Sequence, residues 1–467
     1  MLCGNETNPG CVLGHNRRVA HGEMRVISGR RLLSPRWAVG LLLGSATFAQ
    51  ILNAAISPLL TRLYSPSDFG ALAVYGSIVS LLIAIAALRY ELAVPLARDA
   101  HEAASVGAAA AIVVILSALC VAVLVLSVGE AVLATLSASV MVPFAWLLPI
   151  GVLGGGLYRL LSHWALRERE YRILASTRMT QSLVQAGVQI GIGLVSAGPL
   201  GLLAGDAIGR SGGTLRLARK IWAQHRESIR SITWKSIWAA AVSYRRFPLV
   251  SSFSVLCNNA ALQLGPLAIA WLYGPVVAGW FALAQRVVGI PMRLVGEAVA
   301  QVYLSEAAAF VRKDVVAVWS IFKKTAWRLF AFSLLPAIVI AVAGPTVFGT
   351  LFGNSWGKAG LYAQLLLPMF VGQIVASPLS QTLVVIGRLE LQFAWDAGRL
   401  FVVAGVFVLA RKLQLAPETT LLAYSTAMFI AYAILIGISR WALATQVDVT
   451  TAGARSAGTN ALHVGLG

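Results

Sequence analysis

The sequence predicts an all-α, polytopic membrane protein of about twelve transmembrane helices in two six-helix halves. Three observations support this prediction: long apolar runs, the uneven distribution of basic residues among the loops, and a turn motif that occurs once in each half. Hydrophobic residues make up 58% of the 467 residues, and charged residues only 12%. Because a soluble domain carries about 25% charged residues, most of this surface must face lipid.

Apolar runs define the expected transmembrane spans. A helix that crosses a bilayer needs roughly 20 mostly apolar residues. Twelve segments meet this requirement, and they are numbered spans 1 to 12 in chain order. Their expected bounds are 38–60, 70–96, 104–128, 141–161, 177–198, 200–218, 248–272, 275–300, 327–348, 361–386, 393–412 and 418–440. An even number of spans places both termini on the same side of the membrane.

The basic residues are concentrated on one side of the predicted spans. Of the 37 Lys and Arg residues, 31 lie in the termini, the loops after even-numbered spans and the adjoining helix ends. The loops after odd-numbered spans contain only four, Arg62, Lys358, Arg411 and Lys412. Since basic loops remain in the cytoplasm, both termini are predicted to be cytoplasmic. The net charge of +19 therefore follows membrane topology, and no nucleic-acid partner is expected.

The same pattern divides the chain into five segments. They are a basic tail predicted to be disordered, 1–36, an N-terminal bundle, 37–218, a basic cytoplasmic linker, 219–247, a C-terminal bundle, 248–441, and a cytoplasmic tail, 442–467. The linker interleaves tryptophans with basic residues, which is typical either of an amphipathic helix on the inner leaflet or of an ordinary charged loop. The sequence leaves open whether Met1 or Met24 is the natural start.

Two short repeats relate the halves. Residues 63–66 read Leu-Tyr-Ser-Pro and residues 272–275 read Leu-Tyr-Gly-Pro, and in the same register Gly70 matches Gly279. The second repeat consists of two arginine pairs, each eleven residues apart, Arg167 with Arg178 and Arg388 with Arg399. Both repeats indicate parallel halves joined by the linker.

No enzyme motif is present in the sequence. It lacks GxSxG, P-loop, HExxH and Rossmann glycine patterns, and its four cysteines have no metal-ligand spacing. A membrane polymerase or glycosyltransferase would need a large periplasmic loop or an acidic metal-binding motif, whereas the longest outer loops have about a dozen residues. Neither enzymatic activity nor a cofactor is therefore expected.

Ionisable residues within the spans are the first candidates for a functional site, because each costs at least ~2.5–3.5 kcal/mol in the bilayer core. In span 8, Arg293 and Glu297 each fall within about 20° of Arg286 on one helical face. They form either a cationic stripe that faces a cavity or, for Arg293 and Glu297, a self-neutralising pair at i and i+4. Arg286 has no acidic residue three or four positions away, so a functional role is predicted for it.

Other polar residues within spans complete the candidate set. Arg89 and Glu91 lie near the end of span 2, where a helix would point them in different directions, so no local ion pair is expected. Uncharged polar residues on spans 1 and 7 either contact a polar substrate or join helices by hydrogen bonds worth ~0.6 kcal/mol each. These are Gln50 and Asn53 in span 1 and Asn259 and Gln263 in span 7.

Two stretches of the N-terminal half resemble a known family. The sequence LTRLYSPSDFG at 60–70, followed by RYE at 89–91, resembles the first two spans of Wzx-type polysaccharide flippases. These flippases form the oligosaccharide flippase family within the multidrug/oligosaccharidyl-lipid/polysaccharide exporter superfamily. The region 164–189 is similar to the connection between the fourth and fifth spans of that family, on the residues Arg167, Arg169, Tyr171, Gln181 and Gln189.

The resemblance implies two six-helix bundles around a central cavity that opens alternately to the two sides of a bacterial inner membrane. It implies a substrate in which an oligosaccharide repeat unit is linked to undecaprenyl pyrophosphate, for surface polysaccharides such as lipopolysaccharide or exopolysaccharide. Mid-membrane arginines suit an anionic pyrophosphate. Further expected partners are membrane lipids and the polysaccharide polymerase with its assembly machinery. The expected substrate-binding residues are Arg286, Arg293, Arg89, Glu91, Gln50, Asn53, Asn259 and Gln263.

A multidrug or cation antiporter of the same fold is the alternative function. Such a transporter needs buried carboxylates that bind a cation and exchange it for a proton or sodium ion. Spans 1 and 7 contain no Asp or Glu. The charge bias within the spans is cationic, which favours an anionic substrate.

The predicted topology can be tested with reporter fusions. Alkaline phosphatase, which is active only in the periplasm, is fused after Gly467 or inserted within 219–247. Because the basic loops cluster with both sites, we expect both fusions to be inactive and matching cytoplasmic reporters to be active. A periplasmic signal at either site would contradict the topology.

Overall fold

A computed structural model describes residues 35–311 and 315–464, and within these it leaves the side chains of 447–464 and of a few others, including Arg293, undescribed. By its contacts the chain divides into two units, Met1–Gly40 and Leu41–Gly467. Of the first unit, the structure describes residues 35–40, which begin the first helix. Most of the predicted N-terminal tail, with Met24, lies outside the described residues.

The described residues are helical, joined by short turns, and contain no strand. The N-terminal half comprises α1 (Pro35–Ala55), α2 (Ser57–Leu63), α3 (Pro66–Ile85), α4 (Ala100–Thr135), α5 (Leu147–Arg167), α6 (Tyr171–Val195) and α7 (Leu200–Ser211). The predicted linker contains α8 (Thr214–Arg230) and α9 (Trp234–Ser243). The C-terminal half comprises α10 (Ser252–Phe310), α11 (Val315–Phe352), α12 (Gly357–Leu365), α13 (Leu367–Leu379), α14 (Gln381–Val385), α15 (Leu389–Lys412) and α16 (Pro417–Val464).

These helices confirm the predicted multi-pass membrane fold. In the described part of the chain, eight helices are long and apolar enough to cross a membrane. One of them, Val255–Gly289, runs through predicted spans 7 and 8. Predicted spans 4 to 6 are also helical but fall short of this measure, because α5 and α6 carry Arg, His and Gln side chains and α7 has only 12 residues.

The repeated Leu-Tyr-x-Pro motif forms a turn in each half, as predicted. In the first half, Ser65 caps α3: its hydroxyl accepts from the Asp68 N–H, and the Asp68 carboxylate accepts from the Ser65 N–H at 2.9 Å. In the second half, Gly274 interrupts α10 with a φ of 83°. Only glycine adopts that left-handed conformation without strain, which explains why Gly274 replaces the capping serine.

Span 2 is shorter than predicted. The sequence placed its end at residue 96, but α3 ends at Ile85, and Leu88 and Arg89 have φ values of 45° and 63°. The chain then continues in short 3₁₀ turns. Arg167 stabilises this region by donating to the carbonyls of Val94 at 3.0 Å and Ala97 at 2.6 Å. Hydropathy did not reveal the break because the residues beyond Ile85 remain largely apolar.

The repeat of arginine pairs predicts the wrong alignment of the two halves in this region. The turns between spans 4 and 5 and between spans 10 and 11 share one geometry, with a left-handed residue at Arg169 (φ 56°) and Gly387 (φ 74°). In each turn the next N–H donates to a carbonyl five residues back, at 2.9 Å and 2.8 Å. Arg169 and Gly387 are therefore equivalent, 218 positions apart, whereas the arginine pairs are 221 positions apart.

The two halves meet at the end of the bundle that carries the turns after odd-numbered spans, which we call the distal end. A Cβ atom at Gly70 would lie 1.9 Å from the Pro275 carbonyl oxygen, and one at Gly279 would lie 1.8 Å from the Pro66 carbonyl oxygen. Since these residues are matched positions of the repeat, the contact is reciprocal, as across a two-fold axis. We call these four residues the distal seal.

Two further hydrogen bonds join the halves at the distal end. The Trp356 indole N–H, from the turn between spans 9 and 10, donates to the Thr61 carbonyl at 3.1 Å. The Ser137 hydroxyl, from the turn between spans 3 and 4, donates to the Trp271 carbonyl at 3.3 Å. Thr61 and Trp271 end the first spans of their halves, so these bonds repeat the symmetry of the distal seal.

We predict that Gly70→Ala and Gly279→Ala each destabilise the protein by ~1–3 kcal/mol, because the added methyl group overlaps backbone atoms of the other half. The matched control is Gly191→Ala in α6, where a Cβ meets nothing within 4 Å. That change should be neutral or slightly stabilising, since alanine favours helix over glycine. Thermal unfolding of the detergent-purified variants measures the difference, and equal effects at all three positions would contradict the close packing.

Candidate functional site: a central cavity

A cavity of about 620 Å³ lies between the two halves, where the resemblance placed one. Its lining comes from spans 1, 2, 5 and 6 of the first half and spans 7, 8, 10, 11 and 12 of the second. Leu72 and Phe281 line it two residues from Gly70 and Gly279, so the distal seal closes its distal end. At the other end, which we call proximal, the lining reaches Glu297.

Arg286 lines this cavity and contacts span 1. Its Nη2 donates to the Asn53 carbonyl at 3.0 Å and lies 3.5 Å from the Asn53 side-chain oxygen. The carbonyl is at the end of α1, near a break that precedes Pro58, which has no N–H to continue the helix. No carboxylate pairs with Arg286 among the described residues.

Two further arginines line the cavity, and each has a carboxylate partner. Arg210 Nε lies 2.5 Å from the Asp206 carboxylate, the i and i+4 pair of span 6. Arg399 Nη2 lies 3.1 Å from the Asp396 carboxylate and 3.1 Å from the Asn258 side-chain oxygen. Sequence reasoning did not select Arg399 as a site residue, although an arginine inside the apolar run of span 11 was a signal for it.

Five glutamine side chains also line the cavity. Gln50 and Gln263 were predicted to do so. Three others were not, because the predicted polar residues were those of spans 1 and 7. None of the five amides has a hydrogen-bond partner in the part of the chain that the structure describes. The cavity therefore offers both donors and acceptors to a guest. The three missed residues are Gln185, Gln285 and Gln373.

Aromatic and thioether side chains also line the cavity. They come from the second half and include Tyr424 and Tyr432 of span 12, with the phenyl ring of Phe281 from span 8. Tyr424 and Phe281 pack edge to face, with ring centroids 6.4 Å apart. These three rings are buried, with Phe281 0%, Tyr424 6% and Tyr432 4% exposed, so they shape the cavity and offer little free surface.

Four predicted residues are not placed in the cavity lining, and two of them, Asn259 and Arg293, belong to α10. Asn259 donates to the Val255 carbonyl of its own helix at 2.9 Å, which satisfies the amide locally. The side chain of Arg293 lies outside what the structure describes, so its role stays a prediction. Glu297 does line the cavity, and it has no ion pair with any described residue.

Arg89 and Glu91 lie at the proximal end, outside the cavity lining. The Glu91 side chain is 1% exposed and its carboxylate lies 3.0 Å from Arg159 Nε and 3.5 Å from Arg89 Nη1. The expectation of no local pair was wrong, because it assumed a continuous helix and Arg89 is left-handed. Burial lowers the pKa of the Arg89 guanidinium, and Glu91 opposes that shift. Arg89 Nε also donates to the Ser251 hydroxyl at 3.4 Å, which connects the halves proximally.

Family comparison agrees with this architecture. The sequence profile of a family of polysaccharide biosynthesis proteins matches residues 59–360, from the end of span 1 into span 10. The chain belongs to this family. The match confirms the family type that the motifs at 60–70 and 89–91 resemble. Among curated proteins, none matches the chain in sequence.

Solved structures show the fold of this polysaccharide biosynthesis protein. An inward-facing multidrug resistance MATE transporter of the MOP superfamily aligns with a TM-score of 0.58 at 15% identity, over 89% of this chain and 96% of that one. The lipid II flippase MurJ, in an inward closed conformation, aligns with a TM-score of 0.62 at 12% identity, over 86% and 87%. A MOP superfamily transporter from Pyrococcus furiosus aligns with a TM-score of 0.56 at 14% identity, over 89% and 97%.

We predict that Glu91→Gln destabilises the polysaccharide biosynthesis protein, because it leaves two arginines without their shared carboxylate. Removing one partner of a buried pair costs ~3–5 kcal/mol, and the lower end applies here since Arg159 is 30% exposed. The control is Glu390→Gln, which removes the exposed pair with Arg388 and should cost at most ~1 kcal/mol. Thermal unfolding in detergent compares them, and equal stability of the two variants would contradict the prediction.

Proposed function

We propose that the chain is a flippase that moves oligosaccharide repeat units linked to undecaprenyl pyrophosphate across a bacterial inner membrane, for cell-surface polysaccharide biosynthesis. The observation that carries this proposal is Arg286, a cavity arginine that forms no ion pair with a described carboxylate. Arg210 and Arg399, which face the same cavity, are both paired. A guest with its own negative charge completes the environment of Arg286.

The chemistry of the guanidinium group favours a phosphate guest. An unneutralised charge within a span costs at least ~2.5–3.5 kcal/mol, so it is retained where it has a function. A guanidinium donates two parallel hydrogen bonds to phosphate oxygens, and these are stronger than bonds between neutral groups. Arg286 uses Nη2 to hold Asn53, which orients the guanidinium group toward the cavity.

The rest of the lining suits an oligosaccharide. Sugar hydroxyls both donate and accept hydrogen bonds, as the free amides of Gln50, Gln263 and the other cavity glutamines do. The lipid tail stays in the bilayer while the polar head crosses through the cavity.

Alternating access gives the distal seal its proposed role. In the described state the seal is closed, so a head group enters the cavity from the proximal side, which the basic loops assign to the cytoplasm. Release on the other side requires Gly70 and Gly279 to separate from the opposing proline carbonyls. The hydrogen bond from Arg89 to Ser251 already joins the halves at the proximal end in this state, so it would hold them together there while the seal opens.

A multidrug or cation antiporter is the second candidate, and Glu297 is the observation that favours it. Its carboxylate lines the cavity and is not neutralised by a described residue, as a cation site requires. Asp206, the other cavity carboxylate, is occupied by Arg210. If the chain is an antiporter, Glu297→Gln should abolish drug resistance conferred by the protein, and polysaccharide export should not depend on Arg286.

We predict that Arg286→Ala reduces polysaccharide export at least tenfold in a strain that carries only the variant, while the protein remains inserted and abundant. Arg286→Lys should restore export in part, because it keeps the charge but loses the planar pair of donors. The control is Arg411→Ala. Its guanidinium stacks on Trp271 at 4.2 Å, at the distal end and outside the cavity lining, so export should be normal.

Surface polysaccharide and protein level are measured in parallel for these strains. Normal export from Arg286→Ala would show that the arginine serves packing with Asn53 and not the substrate. Loss of export together with loss of protein would assign Arg286 a role in folding. Either outcome would overturn the proposed role.

A further inference from the structure

The predicted linker is held against the proximal end of the N-terminal half. The Ser105 hydroxyl donates to the Ser236 hydroxyl at 3.1 Å, and the Tyr90 hydroxyl donates to the Ala241 carbonyl at 3.1 Å. Tyr244, just after α9, donates to the Glu102 carboxylate at 3.3 Å. One face of α9 is therefore attached to spans 2 and 3, which fixes the direction of its other face.

The opposite face of α9 is apolar and exposed. Trp234 and Trp238 are 68% and 65% exposed, and with Val242 they follow one another at intervals of four residues on one side of the helix. The exposed apolar surface continues at Leu249, which is 73% exposed, and at Phe253. Phe253 lies just before the membrane-crossing helix Val255–Gly289, so the stripe leads into a lipid-facing surface.

The surroundings of this stripe are strongly basic. Between residues 214 and 246, Glu227 is the single acidic residue. Seven basic residues in the same segment are exposed. They are Arg216, Arg219, Arg226, Arg230, Lys235, Arg245 and Arg246. Exposed tryptophan next to basic side chains is the pattern of a helix that lies in the interfacial layer of an anionic membrane.

The preceding helix, α8, has the same two-sided character. Leu217 packs with Ala165 and Leu174 of the N-terminal half, and Ile221 is buried as well. Trp222 and Leu215 are exposed on another side of the helix. The helix bends at His225, where φ is −123° and ψ is 24°, so the buried and exposed sides of α8 are defined before this bend. Both linker helices thus place tryptophan on the surface that the protein does not cover.

We propose that α8 and α9 form an interfacial anchor that binds anionic phospholipids of the proximal leaflet. Trp234, Trp238 and Val242 insert among the upper acyl chains, and the exposed basic side chains bind the lipid phosphates. The sequence was compatible with an amphipathic helix or an ordinary charged loop in the linker, and this proposal selects the amphipathic helix. It is independent of the transported substrate and of Arg286.

The position of the anchor gives it a mechanical consequence. α9 leads through residues 244–251 into span 7, and Ser251 accepts the hydrogen bond from Arg89. Lipid that holds α9 at the membrane surface therefore also holds the proximal contact between the two halves. The connection between the halves is therefore attached to one leaflet through α9.

The depth of the anchor can be measured on the full-length protein in nanodiscs. The native cysteines are replaced by serine, and Trp238→Cys or Glu227→Cys carries a fluorescent label. A nitroxide on carbon 5 of the lipid acyl chain should quench the label at 238 several-fold more than the label at 227. Aqueous iodide should show the reverse order. Trp234→Cys repeats the test at a second site, and equal quenching by lipid at 227 and both tryptophan positions would overturn the proposal.

The lipid preference is tested with matched charge variants. The proximal triple variant is Arg226→Gln, Arg230→Gln and Lys235→Gln, and the distal control is Lys358→Gln, Arg411→Gln and Lys412→Gln. Native mass spectrometry reports the ratio of phosphatidylglycerol to phosphatidylcholine that each protein retains from mixed vesicles. We expect the ratio to fall several-fold in the proximal variant and to stay unchanged in the control. An unchanged ratio in the proximal variant, or an equal fall in both, would overturn the proposal.

Discussion

The close backbone contact between two matched turns is the constraint on which the rest of the structure depends. Gly70 lies against Pro275, and Gly279 lies against Pro66, at separations that leave no space for a Cβ atom. Reciprocal contacts of this kind let two similar bundles meet along one small surface. They close the distal end, and the space between the bundles remains as the cavity. A bulkier residue at either glycine would separate spans 2 and 8 along their length.

Electrostatics in a low-dielectric interior then determines which cavity residues remain available. Arg210 and Arg399 are neutralised by acids of their own helices, so their charges serve structure. Arg286 is bound to a neutral partner, the Asn53 carbonyl, so its charge stays available to the guest that we propose. An uncompensated ion in the bilayer core costs a few kcal/mol, which is enough to distinguish Arg286 from the two paired arginines. The proximal Glu91 cluster shows the opposite solution, with a buried carboxylate between two arginines.

Hydropathy and charge patterning predicted most of the fold and a part of the site. Apolar length depends on composition alone, so most of the long apolar helices were predictable, and the repeated motif marked the turn at 272–275. The end of span 2 was not, since Arg167 stabilises the break from 70 residues away. For the same reason the Arg89–Glu91 pair was missed. Gln373 and Arg399 reach the cavity only through the packing of spans 10 and 11, which periodicity within one helix does not report.

The sequence by itself determined the membrane class, the multi-pass helical fold and the presence of an arginine within a long apolar helix, because each follows from local composition. The tertiary structure decided which charges are paired. An ion pair forms between groups a few ångströms apart, and such groups can lie far apart in sequence, as Glu91 and Arg159 do at a separation of 68 residues. The structure also decided that Arg286 meets Asn53, 233 residues away, in the cavity between the halves. Distances between helices depend on how their side chains pack, and no single helix encodes them.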